Sequence, residues 1–375
     1  MSKKRVVVVS DTMYPWFIGG KEERLRVLRS HLDTQKFDVI FATMKWWEDC
    51  APESHYAICK KIDLYQNGRR SIFSSLYFAL ACFKVWRLKP DLVEADQMPF
   101  LQIWPLKLVC LFLRIPLCVT WHEVWGPKYW QEYLGNLGLI AGYIESMSMK
   151  LPNRIIAVSE MTRQRLIDQG VDAAKIALVA NTVDTAEIRH ANTNLPATDL
   201  LYVGRLIEHK RVDLLLDSIA RLKSQGSLYT LSVVGQGPQL EALMDQAFKL
   251  GVLNQITFYP KPLSSQDIWG LMGICTVFAS PSEREGFGIA ALEAITAGSR
   301  VLVSGHNDNA SRFLVTSNEI GEVVPNQTIS DWSRAIKNAL ELQVNNREQA
   351  KETDDSQLDF SVLYQDNWAD LLVQK

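Results

Sequence analysis

The chain has 375 residues, a length that suggests two domains, and its 47% hydrophobic and 22% charged residues describe an ordinary soluble globular protein. A net charge of −2 gives no electrostatic reason to expect nucleic acid as a partner. Six cysteines (Cys50, Cys59, Cys82, Cys110, Cys118 and Cys275) are scattered with no C-x-x-C pair, which excludes a zinc-site spacing and suits reduced thiols in a cytoplasmic protein.

The first predicted element is a strand at 6–9. The basic residues Lys3, Lys4 and Arg5 before it could open a signal peptide, but only four apolar residues follow, where a secretory core needs about 7–15. A loop with Pro15 and the pair Gly19-Gly20 comes next. Leu25, Leu28 and Leu32 then fall at helical spacing over 22–32. Further strands are predicted at 39–42, 92–95, 117–120, 154–158 and 176–179. One helix runs from 71 to 88 and stops before Pro90. Another starts at the Ser159 cap, reaches Gln169 and stops at Gly170. The most apolar window, 100–119, contains Pro105, Lys107, Arg114 and Pro116 and does not read as a membrane span.

A polar stretch at 185–199 reads as a linker, after which the pattern restarts. Strands are predicted at 200–203, 230–234, 256–259, 276–279 and 300–303. Helices alternate with them at 213–222, 238–250, 266–273 and 288–297. A helix at 330–342, a polar connection at 345–357 and a helix at 360–373 complete the chain. The alternation predicts an α/β protein with two doubly wound parallel-sheet, Rossmann-like domains, 1–185 and 200–355, facing a cleft. Residues 356–375 are expected to form a C-terminal helix returning to the first domain.

The segment Ser280 to Ala294 carries the densest chemistry. Glu285 precedes Gly286-Phe287-Gly288, and Glu293 falls eight positions after Glu285 inside the helix that follows. Strand, glycine turn and helix N-terminus make an anion site, because backbone N–H groups and the helix dipole both favour negative charge. A helical rise over eight residues is about 12 Å. That is too far for a glycosidase carboxylate pair, which sits roughly 5–9.5 Å apart. It suits two carboxylates gripping opposite ends of one extended ligand, with phosphate between them. Glu293 is flanked by Ala291, Leu292, Ala294 and Ile295, so its charge needs a partner. Gly235-Gln236-Gly237-Pro238 lacks the third glycine of a dinucleotide fingerprint and reads as a tight strand-to-helix turn.

These residues resemble the GT-B glycosyltransferases, specifically the large retaining family 4 type of bacterial and archaeal group 1 enzymes. The specific motifs are Tyr202-Val203-Gly204-Arg205-Leu206, Lys210, Val234 to Pro238, and Glu285 with Glu293. Looser ones are Gly19-Gly20-Lys21-Glu22, Thr120 to Gly126 and Ala157 to Glu160. The resemblance implies that Arg205 and Lys210 stabilise the departing diphosphate without a metal. It implies that Glu285 lies against the donor sugar and Glu293 holds the ribose hydroxyls. Gly286, Phe287 and Gly288 would offer backbone N–H groups to the donor, Gly19 and Gly20 a loop near the donor phosphate, and His122 a ring beside the donor sugar. The catalytic set expected is therefore His122, Arg205, Lys210 and Glu285. No cofactor or metal is expected, and the donor is a nucleotide diphosphate sugar.

The chain departs from the family at Asn181-Thr182-Val183-Asp184, where a glycine is usual at the second position. Phe313 stands where a carboxylate is common. The activity implied is transfer of a hexose to a hydroxyl of a saccharide or lipid-linked glycan, with front-face attack and retained configuration. Two alternatives stay open: a sugar-nucleotide 2-epimerase on the same fold, and a non-catalytic nucleotide-sugar binder. Trp125 and Trp130 are candidates to line the acceptor side, set against plain packing. Basic and aromatic residues interleave over Arg69 to Lys89, which suits either a solvated face or peripheral contact at the inner face of a membrane.

Overall fold

The computed structural model describes residues 3–17, 19–30, 35–66, 69–343 and 360–373. The end of the helix expected over 22–32 and the connection expected at 345–357 lie outside the described residues. The chain divides into two compact units, Met1–Asn181 with Gln357–Lys375, and Thr182–Ser356.

The first unit is built on seven parallel strands in the order His55–Lys60, Phe37–Lys45, Lys4–Val9, Leu92–Asp96, Leu117–Trp121, Arg154–Ala157 and Ile176–Leu178. Val6 to Val9 and Leu117 to Trp121 are buried throughout, because helices cover both faces of a parallel sheet and the strands need no polar alternation. The strand Lys4–Val9 lies between Phe37–Lys45 and Leu92–Asp96, pairing Val6 with Val39 on one side and Leu92 on the other. The strand order reverses there, so the C-terminal ends of these strands form a switch point where such sheets bind ligands. Asp11 follows the first strand and Asp96 ends the other. The C-terminal helix Phe360–Val373 packs on this unit: Trp368 is buried, its indole donates to Glu94, and its ring meets Phe37 edge-on at 5.5 Å.

The second unit has six parallel strands in the order Ile256–Tyr259, Leu231–Val234, Leu200–Val203, Val277–Ser280, Arg300–Ser304 and Gly321–Val324. Its switch point lies between Leu200–Val203 and Val277–Ser280, the two strands that lead into the Arg205 and Glu285 loops.

Several elements differ from the sequence expectation. Residues 185–199 are not all linker: Thr185–Arg189 is helical, the Asp184 carboxylate accepts from the Glu187 N–H at 3.0 Å, and Ile188 is buried. The 71–88 segment is two pieces, an α-helix Ile72–Ala81 capped by the Ser71 hydroxyl and a 3₁₀ stretch Cys82–Leu88. The apolar window holds the helix Ile103–Leu113, with Pro105 in its first turn where a missing N–H breaks no bond. Among the described residues no helix is long and apolar enough to cross a membrane.

Candidate functional site

In the second unit the strand Leu200–Val203 leads into a loop that two glycines hold close. The Gly204 N–H donates to Val234 O at 3.0 Å and the Leu206 N–H to Gln236 O at 2.8 Å. A Cβ on Gly235 would lie 1.9 Å from Gly204 O, and one on Gly237 would lie 2.2 Å from Leu206 O. These glycines therefore permit backbone contact with the loop that carries Arg205, a closer role than a tight turn alone. The buried Tyr202 hydroxyl donates to Arg205 O at 3.0 Å. Burial and the nearby Glu285 carboxylate push that phenol above its ordinary range. Arg205 itself is exposed, and its guanidinium makes no hydrogen bond or ion pair among the described residues.

Lys210 ends the 3₁₀ turn Glu208–Lys210, and its ammonium donates to the Glu285 carboxylate. The same carboxylate accepts from the Ser282 hydroxyl at 3.2 Å. The two loops are also tied at the backbone, where Glu283 N–H donates to His209 O at 2.8 Å. Arg211, with φ of 53°, pairs with Glu283 at 2.7 Å and Asp213 at 3.1 Å. So the basic run separates into two roles: Arg211 fixes the loop, while Arg205 projects from it. His209 is held down to about 4 by burial and by the neighbouring Lys210 and Arg205 cations, so it is neutral at physiological pH.

The Glu285 loop is pinned from its other side. Arg284–Glu285 pairs in parallel with Asp308–Asn309. The buried Asn309 amide donates to Ser282 O at 2.8 Å and its carbonyl accepts from the Ser311 N–H at 2.9 Å. Gly288 adopts φ of 97° and caps the helix Ile289–Thr296. A Cβ there would stand 2.4 Å from Ser311 Cβ. The helix's first N–H groups lack intrahelical partners by geometry, which leaves donors and the positive end of the dipole beside Gly286 to Gly288. Because the helix begins only at Ile289, the eight-residue helical rise assumed from sequence does not apply; residues 286–288 are turn. Glu293 meets the buried Trp269 indole, which donates to it at 2.9 Å from the helix Ser265–Ile274. Phe313 is exposed, with Arg312 over its ring at 4.8 Å.

The second unit thus gathers Arg205, Lys210, Glu285, Gly286, Phe287 and Gly288 onto adjoining loops of one switch point, with Glu293 on the helix that follows. The roles of Tyr202, Arg211, Glu283, Trp269 and Asn309 are not legible in the sequence. A carboxylate two residues before Glu285 and a cation beside Lys210 were the available signal.

Of the first unit's candidates, His122 joins a buried ion network. His122 Nε2 lies 3.0 Å from Asp96 Oδ1, and the His122 backbone N–H donates to Gln97 Oε1. Lys21 Nζ is 2.9 Å from Asp11 and 3.8 Å from Asp96, and Arg70 also pairs with Asp11. Burial alone would raise both carboxyls, but Lys21 and Arg70 around Asp11, and Lys21 and His122 around Asp96, hold them below the usual range. Lys21 is correspondingly held above its ordinary value despite its burial. Gly19 is a bend, whereas Gly20 already opens the helix Gly20–Ser30, so only the first glycine belongs to the loop. Glu22 accepts from Thr12 Oγ1 at 2.5 Å. Trp130 is buried and donates to Glu145 at 2.8 Å, which makes it packing and not an acceptor wall. Trp125 is half-buried, 4.6 Å from the Trp130 ring.

The fold defines a class first: a two-unit parallel α/β protein in which Arg205, Lys210 and a helix N-terminus lie at the switch point of the second sheet. Glycosyl transferases group 1 matches residues 184–356, and Glycosyltransferase Family 4 matches residues 18–187. The chain belongs to the group 1 glycosyltransferases. It is 27% identical over 260 residues to the glycogen synthase of Mycobacterium tuberculosis (strain ATCC 25618 / H37Rv), covering 68% of this chain and 61% of that one. It is 31% identical over 157 residues to the GDP-mannose:cellobiosyl-diphosphopolyprenol alpha-mannosyltransferase of Komagataeibacter xylinus, covering 41% of this chain and 39% of that one. The matches thus span less than two thirds of these curated relatives. Anabaena Alr3699/HepE, solved with UDP and glucose, superposes with a TM-score of 0.73 at 16% identity over 98% of both chains. That likeness shows the fold.

Proposed function

We propose that the protein transfers a hexose from a nucleotide diphosphate sugar to a hydroxyl of a saccharide or lipid-linked glycan, with retained configuration and without a metal. The observation that carries this reading is the Lys210–Glu285 contact beside the free guanidinium of Arg205. The relatives' substrates support the donor class: one is a GDP-mannose enzyme and one fold neighbour was solved with UDP and glucose.

In this reading Glu293 takes the ribose hydroxyls, and the N-terminus of the Ile289–Thr296 helix with Gly286 to Gly288 takes the phosphates. Arg205 and Lys210 then face the charge that builds as the sugar leaves. The bond between the anomeric carbon and the phosphate oxygen breaks, and its electron pair stays on the diphosphate. The acceptor oxygen bonds to the same face of the carbon and gives its proton to the leaving phosphate oxygen. Lys210 supplies the electrostatic stabilisation that a metal supplies elsewhere. Glu285 holds Lys210 in place and lies toward the sugar. In the first unit, His122 on Asp96 serves the sugar, with Gly19 in the neighbouring loop. The protein works in the cytoplasm, at the inner face of a membrane when its acceptor is lipid-linked.

The test is acceptor-dependent release of nucleoside diphosphate from a panel of UDP-, GDP- and ADP-sugars, with the anomeric configuration of the product read by NMR. Release needing an acceptor, with configuration kept, supports the proposal. Conversion of the donor to a 2-epimer without an acceptor would replace it with the epimerase reading.

A further inference from the structure

A helix covering a sheet normally turns a polar face outward. Three helical segments of the first unit do not. Half of the exposed large apolar side chains among the described residues fall on 72–88, 103–113 and 137–143. Phe112 is 81% exposed, Phe73 72% and Tyr143 67%; Leu111, Ile140 and Leu76 are exposed beside them in sequence. The segments adjoin. The Trp104 indole donates to the Ser148 hydroxyl at 3.1 Å. Leu76, Phe83, Trp104 and Tyr143, one or more from each segment, line a shared open groove of about 420 Å³. An apolar surface of this extent marks an interaction site in a soluble protein.

Charge identifies the occupant. The exposed charged side chains of 71–116 are Lys84, Arg87, Lys89 and Arg114, all basic. Arg87 and Lys89 stand at the C-terminal end of one helical segment and Arg114 at that of another. Both segments precede parallel strands of one sheet, Leu92–Asp96 and Leu117–Trp121, so these ends share one edge of it. A second copy of the chain docked face to face would set this basic edge against its own like charge. A bilayer carrying anionic lipid satisfies both features: apolar side chains enter the headgroup boundary and basic ones snorkel to the phosphates.

We infer that this three-helix face docks the protein onto an anionic lipid bilayer. It deepens the lipid-linked form of the acceptor proposed above and rests on that part of the reading. The face lies on the unit that carries His122, so docking holds that unit at the surface from which such an acceptor is presented.

The test uses the full chain and vesicles of phosphatidylcholine with or without phosphatidylglycerol, read by flotation. Binding to the anionic vesicles, weakened but not abolished by salt, is expected. The double variant Phe73→Ser/Phe112→Ser should partition about a hundredfold less, since two large side chains no longer leave water. Arg87→Gln/Arg114→Gln should lose the preference for anionic vesicles while keeping some partitioning. Thermal stabilisation by nucleoside diphosphate should persist in both variants, which shows that they fold and separates this inference from the donor site. No flotation of the native chain, or equal flotation of the Phe73/Phe112 variant, would overturn it. So would a dimer in light scattering that the Phe73/Phe112 variant abolishes, which would give the face to a second copy.

Discussion

Lys210→Ala is the perturbation with the clearest magnitude. The Lys210 side chain is 12% exposed and its ammonium is spent on Glu285, itself 22% exposed. Charge placed so deeply acts on a developing diphosphate through little water, where one fixed donor contributes about 2.7–4 kcal/mol to the transition state, or roughly 10²–10³ in kcat. The stability cost is smaller. Glu285 keeps the Ser282 hydroxyl at 3.2 Å and partial access to solvent, so about 1–3 kcal/mol is lost. In a domain of this size that shifts Tm by only about 2–4 °C per kcal/mol. Initial rates of nucleotide release at 25 °C with saturating donor and acceptor, beside a melting curve, separate the two effects. Lys210→Arg should recover part of the rate by restoring the charge. A Lys210→Ala enzyme turning over within about threefold of the native rate would leave less than 1 kcal/mol for this cation and refute the reasoning.

Gly288→Ala should destabilise the protein by about 1–2 kcal/mol for the left-handed residue alone, and more for the Ser311 contact; unchanged melting and donor affinity would contradict the cap. Trp368→Phe should cost about 1–3 kcal/mol, because Glu94 loses the indole donor inside the core; urea unfolding measures it, and no loss would contradict the anchoring of the C-terminal helix. Burial and the nearby cations hold His209 down to about 4, below the ordinary imidazole range near 6.5, so its contribution to stability is full above about pH 6.5 and is lost as pH falls through 4. His209→Asn should flatten that acid limb. A bound nucleoside diphosphate cancels the Lys210 and Arg205 field, so NMR should show the His209 pKa rising on binding; an unchanged titration would count against the phosphate position.

Much of the second unit is legible because its strands are short apolar runs closed by turn residues and its site residues fall in two short motifs, 205–210 and 285–293. The 235–237 glycines directly follow the strand Leu231–Val234, Lys210 lies in the loop after Leu200–Val203, and Glu285 and Glu293 flank the glycine turn between a strand and a helix. What the sequence concealed was pairing at a distance. Glu293 requires a partner by simple charge burial, yet nothing local points to Trp269. Arg211 and Lys210 are both basic and adjacent, and only the fold separates a loop anchor from a site cation. The strand His55–Lys60 was missed because an edge strand is half exposed and His-Tyr-Ala-Ile-Cys-Lys shows little β pattern. The helices Gly126–Leu134 and Gly138–Ser148 each begin with a glycine and are joined through Gly135, which breaks the periodicity that reveals a helix. The ion network of Asp11, Lys21, Arg70 and Asp96 joins four separate segments, and His122 looks solitary in the sequence for that reason.

The most direct test is calorimetric binding of a nucleoside diphosphate and its parent nucleoside to the native chain, Glu293→Gln and Lys210→Ala. The account predicts that Glu293→Gln weakens both ligands by the same factor, because ribose is common to them. It predicts that Lys210→Ala weakens only the diphosphate. Equal binding of both ligands by all three proteins would contradict it.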